Sequence, residues 1–346
     1  MVPVRKIWIF GVITGFLVLL FFMNLFFGSV IIPFNQVIRV LIGNINGTSQ
    51  TETLIILNFR LPQTYTALFA GAALAVAGLM MQTLFRNPLV YPSILGISSG
   101  AGLGVALLMF FTGRIGSEAF AGADWFGHIG LTLSAFLGSL VVLSLIIFIS
   151  SRLGNAITLL IVGIMIAYVV GALVGLVKYF SQKEDIYAFA IWGLGSFSNV
   201  GNSQLPLFIG TIVFGLFLSL LMMKSLNLML LGERYAENLG LNIRISTIYI
   251  VLITGFLTAI VTAYTGPVAF LGLAVPHLAR SIFKTADHKI LLPASMMLGG
   301  VLALFCNLVA RLPGFDGSLP INSITSLIGA PIVIWFILKH RTFSAS

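Results

Sequence analysis

Charged side chains are scarce in this sequence. Asp, Glu, Lys and Arg together make up 8% of the 346 residues, against 59% for the hydrophobic types. A soluble domain carries roughly a quarter charged residues, so these few charges do not cover the water-facing surface of a 37.2 kDa globule. The mean hydropathy of +1.10 agrees with this. The composition therefore excludes a soluble protein and indicates an integral membrane protein.

Acidic residues are absent from every long apolar stretch. All nine lie in connecting segments: Glu52, Glu118, Asp124, Glu184, Asp185, Glu233, Glu237, Asp287 and Asp316. Ion-coupled carriers and intramembrane proteases usually hold a carboxylate inside the helix bundle, because that charge performs the coupling or the chemistry. An ion-coupled secondary transporter of a small solute is therefore the disfavoured alternative, left open because backbone carbonyls also hold Na⁺.

Catalytic and cofactor-binding motifs are missing as well. Without a GxxxxGK[ST] loop, the chain cannot bind ATP by that means, so any ATP-driven pumping requires another polypeptide. Without HExxH, paired carboxylates or a Ser/His or Cys/His group, a membrane-embedded enzyme is disfavoured. The single cysteine, Cys306, excludes an intrachain disulfide, and the four histidines are isolated. We therefore expect no metal site and no cofactor. The absence of a basic cluster argues against a nucleic-acid partner.

Uncharged runs of twenty residues or more recur nine times along the chain. About 20 apolar residues cross the hydrocarbon core, so most runs predict one span. Run 245–279 would be about 52 Å long as one helix, and Gly266-Pro267 divides it. Run 186–223 predicts a short broken helix, a polar turn and one span, while the hydrophilic stretch near 43–60 predicts a loop. The fold class is an all-α polytopic membrane protein, one domain over 1–346, with ten spans near 7–28, 61–84, 92–112, 127–150, 155–177, 204–223, 244–265, 270–283, 290–310 and 322–338.

Glycine is plentiful, with 36 copies, and some copies are regularly spaced. Small residues repeat at helical intervals in the second and third predicted spans: Gly71, Ala75 and Gly78, then Gly96, Gly100 and Gly104. Small residues allow membrane helices to approach closely. These stripes predict tight helix packing, and the broken helices suit a transporter better than a simple anchor.

Lys and Arg residues indicate the orientation. If the N-terminus is inside, six of the eighteen fall in outer segments and the other twelve in inner ones. The outer six are Arg39, Arg60, Arg114, Lys178, Lys183 and Arg311. The positive-inside rule then predicts a multi-pass plasma-membrane protein (inner membrane in a Gram-negative cell) with both termini cytoplasmic.

One inner segment, LGERYAENLGLN at 231–242, reads as a short amphipathic helix with Gly240 as its C-cap. Periodicity does not distinguish an ordinary interfacial helix from a site that receives energy from an ATPase.

Four blocks of sequence carry a family resemblance. They are FRLPQTYTALFAGAALAVAGLMMQTLFRNPLVYPSILGISSGAGLG, LGERYAENLGLN, TGPVAFLGLAVPHLAR and SLIGAPIVIWFIL. In this order they resemble the permeases of type II ABC importers for iron chelates, haem and vitamin B12. The resemblance implies a transport subunit that is not itself an enzyme, with ten spans. It further implies a homodimer (less often a heterodimer) around a central pathway, two cytoplasmic ATPase subunits, and an extracytoplasmic binding protein. A ferric siderophore is the expected cargo, because it is the commonest in the family, with haem or cobalamin as alternatives.

The resemblance also implies roles for individual positions. In LFRNPLVYP, Asn87 and Leu89 fall on gate positions of the family, and Asn155 to Thr158 fall on a second gate segment. The fifth and tenth spans would line the pathway, and Trp192, in FAIWGLG, lies in a short re-entrant helix near its outer end. Positions that match the ATPase-coupling helix are Gly232, Glu233, Ala236, Leu239 and Gly240.

On the outer face, family members often present arginines that pair with glutamates of the binding protein. The family pattern R-L-P-R reads Arg60-Leu61-Pro62-Gln63 here, so the second arginine is lost, while Arg311 matches the other family position. We expect Arg60 and Arg311 to dock the binding protein, since arginine suits bidentate carboxylate recognition. The competing interpretation is that both reach lipid headgroups.

Overall fold

The computed structural model describes residues 4–43, 49–112, 125–152, 156–311 and 319–341, and the regular structure in these ranges is helical. The α-helices are α1 Val4–Phe26, α2 Phe34–Leu41, α3 Gln50–Leu54, α4 Leu61–Leu84, α5 Ile97–Thr112, α6 Trp125–Ser150, α7 Ala156–Phe180, α8 Lys183–Gly193, α9 Leu205–Leu221, α10 Met223–Leu230, α11 Glu233–Asn238, α12 Ile243–Thr265, α13 Leu271–Phe283, α14 His288–Ala310 and α15 Ile321–Arg341.

Apolar helices occur at all ten predicted span positions. Among the described residues, six helices are long and apolar enough to cross a membrane, and α9 with α10, bent by 47°, makes a seventh if counted as one span. Three shorter apolar helices, Ile97–Phe111, Leu271–Phe283 and Ile321–Phe336, occupy the remaining positions. The all-helical membrane fold is thus confirmed, while ten complete crossings stay a prediction.

One connecting stretch was expected to be a loop and is helical from Gln50 onward. Ser49 caps α3 in a reciprocal capping box with Glu52, a signal that the polar composition of the stretch obscures. A π-helical turn, Ile55–Arg60, then runs directly into α4. Pro62 has no N–H to donate, and the wider turn lies just before it. The helix that carries Arg60 therefore begins about ten residues before the predicted span.

The chain forms two compact units. The first comprises Met1–Ala75, Ser196–Val213 and Val268–Ser346. Within it, Gly71 of α4 lies so close to Gly299 of α14 that a Cβ on Gly71 would overlap the Gly299 carbonyl. A Cβ on Gly299 would likewise lie 2.7 Å from the Cβ of Ala75. The predicted role of Gly71 and Ala75 in close packing is confirmed.

A chain of buried amides crosses the same unit. Gln63 Nε2 donates to Asn307 Oδ1 at 3.0 Å, and Asn307 Nδ2 donates to Asn24 Oδ1 at 2.8 Å. Asn24 Nδ2 in turn donates to the Leu304 carbonyl at 3.0 Å. Buried polar groups need such partners, particularly in lipid. The amides therefore fix α1, α4 and α14 relative to one another.

The second unit comprises Val76–Gly195 and Phe214–Pro267. Here α5 packs against α6 through small residues, since a Cβ on Gly100 would lie 2.6 Å from the Gly138 carbonyl oxygen. Gly104 makes a comparable approach to Ser134. Gly96, in contrast, lies outside α5: with φ 84° it ends the 3-10 turn Pro92–Leu95 and faces Ala167 of α7. Its predicted membership of the α5 stripe is wrong, because a left-handed residue cannot continue the helix.

Candidate functional site

The segment that follows α4, residues 85–91, begins with an unusual helix cap. The Asn87 N–H donates to the Gln82 carbonyl at 3.2 Å and the Arg86 N–H to the Thr83 carbonyl at 3.3 Å. This is a Schellman motif, whose left-handed position is normally glycine. Here that position is Arg86, with φ 46°. An L-residue in this conformation costs about 1–2 kcal/mol, so the backbone conformation at this position disfavours arginine relative to glycine.

Asn87 and Leu89, the predicted gate residues, lie next to this cap and contact each other. Asn87 Oδ1 accepts the Leu89 N–H at 2.9 Å, which closes a tight turn and holds the Asn87 side chain in place. The Leu89 side chain is 46% exposed, whereas Val90 is buried. The turn therefore presents one leucine outward on a rigid, anchored backbone.

The 231–242 segment contains the short helix α11 between two left-handed glycines. Gly232 has φ 113° and Gly240 has φ 87°. The Gly240 N–H donates to the Glu237 carbonyl and the Leu241 N–H to the Ala236 carbonyl, both at 2.9 Å. Gly240 thus occupies the left-handed position of a second Schellman motif, and its predicted role as a C-cap is confirmed.

The faces of α11 differ sharply in exposure. Ala236 is completely buried, so it anchors the helix and offers nothing to a partner. Tyr235 and Leu239, one helical turn apart, are 70% and 61% exposed, and Glu233 is exposed at the start of the helix. Residues four apart share a helix face, so Tyr235 and Leu239 form one apolar surface patch. Sequence reasoning missed Tyr235, although its i, i+4 spacing to Leu239 was visible.

Arg86 joins these two segments. Its Nη2 donates to the Met229 carbonyl, in the last turn of α10, at 2.9 Å. A Cβ on Gly232 would lie 3.8 Å from the same nitrogen. The guanidinium therefore lies where α10 ends and the 231–242 segment begins.

The second predicted gate segment is only partly visible. Asn155 lies outside the described residues, and Thr158 is exposed in the first turn of α7. Much of α7 beyond it is uncovered: Met165, Tyr168 and Val169 are 52%, 72% and 61% exposed. This helix has a long apolar face with no neighbour within the chain's described part.

Trp192 is buried inside the second unit. It is 8% exposed and belongs to a buried cluster with Ala101, Val105, Met109, Ala135 and Ala263. A Cβ on Gly266 would lie 2.5 Å from the Trp192 carbonyl oxygen, so the end of α8 packs directly on the Gly266 break. Its large ring fills the interior, while Tyr187 and Ile191 of α8 are exposed. The pathway role of Trp192 stays a prediction.

Arg60 is buried, contrary to the expectation of a surface arginine. Its exposed fraction is 1%, and the guanidinium is surrounded by two backbone carbonyls at the end of α1 and one in the segment that follows. Nη1 donates to Leu25 at 2.8 Å and to Phe26 at 2.9 Å, and Nη2 donates to Val30. The last carbonyls of a helix have no intrahelical donor, and a cation also suits the negative end of the helix dipole. Arg60 therefore caps α1 from 34 residues away.

Arg311, at the C-cap of α14, lies beside Arg60. A Cβ on Gly28 would lie 3.0 Å from Nη2 of Arg311 and 3.2 Å from Nη2 of Arg60. Both arginines line a cavity of about 340 Å³ together with Ser29, Val30, Ile55, Phe59, Gln63 and Ser198. The pKa of Arg311 is lowered to about 10, first by burial and then by the positive charge of Arg60.

Arg311 has a hydrogen-bond donor without a partner, since among the described residues its buried Nη1 makes no hydrogen bond. The cavity lining in the described part of the chain contains two cations and no acidic side chain. An anion that entered the cavity would lie beside two guanidinium groups.

Metal ligands are not grouped in this structure. Over the described ranges, no set of three or more His, Cys, Asp or Glu residues is placed to hold a metal ion. His277, within the VPHLAR block, packs against the Phe336 ring with centroids 4.2 Å apart.

Comparison with known proteins shows the family of this chain. The model of the FecCD transport family matches residues 16–339. The chain belongs to the FecCD transport family. The hemin transport system permease protein HmuU of Yersinia pestis is 38% identical over 287 residues, which cover 82% of this chain and 83% of that protein. The vitamin B12 import system permease protein BtuC of Klebsiella pneumoniae is 35% identical, with 83% of each chain covered.

Solved structures agree with the FecCD assignment. An inward-facing metal-chelate-type ABC transporter matches with a TM-score of 0.81 and 30% identity, covering 95% of this chain and 98% of that one. PsaBC from Streptococcus pneumoniae, solved with a Fab, matches with a TM-score of 0.55 over 83% of this chain and 93% of that one. At 16% identity the second likeness concerns the fold alone. This FecCD-family chain is thus a multi-pass permease subunit of a type II ABC importer, and ATP hydrolysis belongs to another polypeptide.

Proposed function

We propose that this permease imports a large metal chelate, delivered by an extracytoplasmic binding protein and driven by two cytoplasmic ATPase subunits. The two relatives named above carry hemin and vitamin B12, both metal complexes of large rings. Haem is therefore the first cargo to test, ahead of the ferric siderophore that family frequency favours, with cobalamin as the third.

The observation that carries this proposal is family membership over residues 16–339 together with the coupling geometry of α11. The test is uptake of labelled haem, cobalamin and a ferric siderophore into proteoliposomes that contain the permease with its ATPase and binding protein. ATP-dependent uptake of one chelate supports the proposal. Uptake that ignores ATP and follows an imposed Na⁺ or proton gradient would instead support the secondary-transporter alternative.

The Tyr235–Leu239 patch is the proposed binding site of the ATPase. Ala236 anchors one side of α11 in the protein, and the two exposed apolar side chains lie ready for a partner. The helix begins at Glu233, directly after Gly232, and is ended by Gly240. Replacing both Tyr235 and Leu239 by Asp should abolish co-purification of the ATPase. Ile42→Asp is the matched control, because Ile42 is 76% exposed on a segment proposed to lie on the opposite membrane face. Retention of the ATPase by the double variant would reject this binding site.

A second copy is proposed to cover the exposed face of α7. A lone helix face of this kind suits either lipid or a symmetric partner. A C2 interface brings the same patch of both copies together, and residues near the two-fold axis meet their own counterparts. Tyr168→Cys, made in a Cys306→Ala background, should crosslink between protomers. Val12→Cys is the control, since Val12 is 70% exposed on α1 and is not proposed to meet its counterpart. Equal crosslinking at both positions would indicate random collision and contradict the interface.

Docking of the binding protein is proposed at the Arg60–Arg311 cavity, with different roles for the two arginines. Arg60 already satisfies three carbonyls, so Arg311, whose Nη1 lacks a partner, is the better receptor for an incoming glutamate. Arg311→Glu should weaken association with the binding protein, most strongly at low salt. Lys183→Glu, an exposed residue predicted on the same face, is the control. Unchanged affinity in Arg311→Glu at low salt would remove this residue from docking.

The proposed orientation places both termini, the 85–91 segment and α11 in the cytoplasm. The excess of Lys and Arg on that side supports it. Labelling of single cysteines introduced at residues 42 and 235 in sealed vesicles should give opposite accessibility.

A further inference from the structure

Arg86 is held in a conformation that its backbone disfavours, and its side chain explains why. Two of the three non-glycine residues with positive φ in the described chain are cations at helix ends, Arg86 with φ 46° and Lys284 with φ 47°. Glycine would relieve the backbone strain at either position. At Arg86 the arginine makes a contact that glycine cannot make.

That contact is with the end of α10. The Met229 carbonyl lies in the last turn of α10, where it also accepts the Gly232 N–H at a long 3.3 Å. The 2.9 Å bond from Arg86 Nη2 is therefore the shorter of the two bonds at this oxygen. A charged donor at a helix C-terminus is further favoured by the helix dipole.

The same residue is continuous with the turn 87–89, which carries the predicted gate residues Asn87 and Leu89 and is called the gate turn. Asn87 follows Arg86 directly in the chain, and Asn87 Oδ1 holds the Leu89 N–H at 2.9 Å. On the other side, Gly232 begins the segment that carries α11, and only two residues separate it from Met229. One side chain and two short stretches of backbone therefore connect α11 with the 85–91 turn.

We propose that Arg86 is a positioning residue that ties the gate turn to the ATPase-coupling segment, so that movement of α11 moves Leu89. This rests on the proposed function of α11 as the coupling helix. Arg86 would touch neither cargo nor ATP. Its role is to keep two loops, far apart in sequence, moving as one body.

Arg86→Gly is the informative variant, because glycine favours the left-handed backbone and only the link to Met229 is lost. The complex should still assemble, and its melting temperature should stay near that of wild type, because the relief of backbone strain offsets the lost hydrogen bond. Chelate imported per ATP hydrolysed should fall by about five-fold or more, the lower end of the usual coupling between two sites. Arg86→Lys, which keeps a donor and a charge, should recover part of this ratio.

Two further variants make the test decisive. Lys284→Gly relieves the same backbone strain and removes a cation from an exposed position in the other unit, so it should leave the import ratio unchanged. Gly240→Val disturbs α11 itself and should lower import. If Gly240→Val impairs import and Arg86→Gly does not, the Arg86 link is refuted while the coupling role of α11 stands. If neither impairs import, the coupling role of α11 fails as well. An Arg86→Gly complex that falls apart, or a Lys284→Gly complex with the same defect, would also overturn the link.

Discussion

Gly240→Val isolates the backbone contribution of the cap that ends α11. Gly240 has φ 87°, and a Cβ built there meets nothing within 4 Å, so valine causes no steric clash with the rest of the chain. Its effect is conformational. A β-branched residue in the left-handed region costs about 1–2 kcal/mol, which lowers the ratio of capped to uncapped states by roughly 5–30-fold.

Loss of the capped state should lower ATP-driven uptake and leave insertion of the permease into the membrane unchanged. Without the cap, the Gly240 and Leu241 N–H groups lose the Glu237 and Ala236 carbonyls, and the six-residue helix α11 has little else to end it. The assay measures chelate uptake beside permease abundance and ATPase co-purification. We expect uptake to fall, by up to about 30-fold if it follows the capped fraction, while abundance stays near wild type.

Two matched variants separate conformation from side-chain size. Gly240→Asn should retain most activity, since Asn tolerates the left-handed region better than other residues. Gly201→Val adds the same side chain at a glycine that also has open space and lacks a positive φ, and should be silent. Equal uptake in wild type and Gly240→Val, or equal loss in the Asn and Val variants, would refute the argument from backbone conformation.

Three predictions concern stability. Gly71→Val should destabilise the permease by about 1–3 kcal/mol through overlap with Gly299, whereas Gly11→Val, with open space around it, should not; equal melting temperatures would contradict the packing. Arg60→Met should lower the melting temperature even without a binding protein, because each charged hydrogen bond to the end of α1 contributes about 1.5–3 kcal/mol; an unchanged melting temperature would refute the cap. Cys306, completely buried, should react with a maleimide only after denaturation, and fast labelling of the folded protein would contradict its burial in α14.

The helical membrane fold was open to prediction because it follows from composition and local order. With so few charged side chains, most of the surface cannot face water. The spacing of the few charges marks where helices leave the membrane. The Gly266-Pro267 break and the Gly240 cap were also predictable, since each depends on the residue at that position and its immediate neighbours. The packing of Gly71 against another helix followed from the same local logic, although its partner, Gly299, did not.

What a side chain faces was decided only by tertiary structure. Apolar membrane helices look alike on all sides, so hydropathy does not tell that Trp192 turns inward or that the face of α7 stays open. Arg60 appeared to be a surface residue because charges in a connecting segment usually meet solvent. It is buried because the C-terminal end of α1 and the residues after it, some 30 positions earlier in the sequence, pack against it. Their backbone carbonyls need donors, and Arg60 supplies them. Likewise, the Arg86 bond to Met229 joins residues 143 apart, a distance over which no local pattern reports.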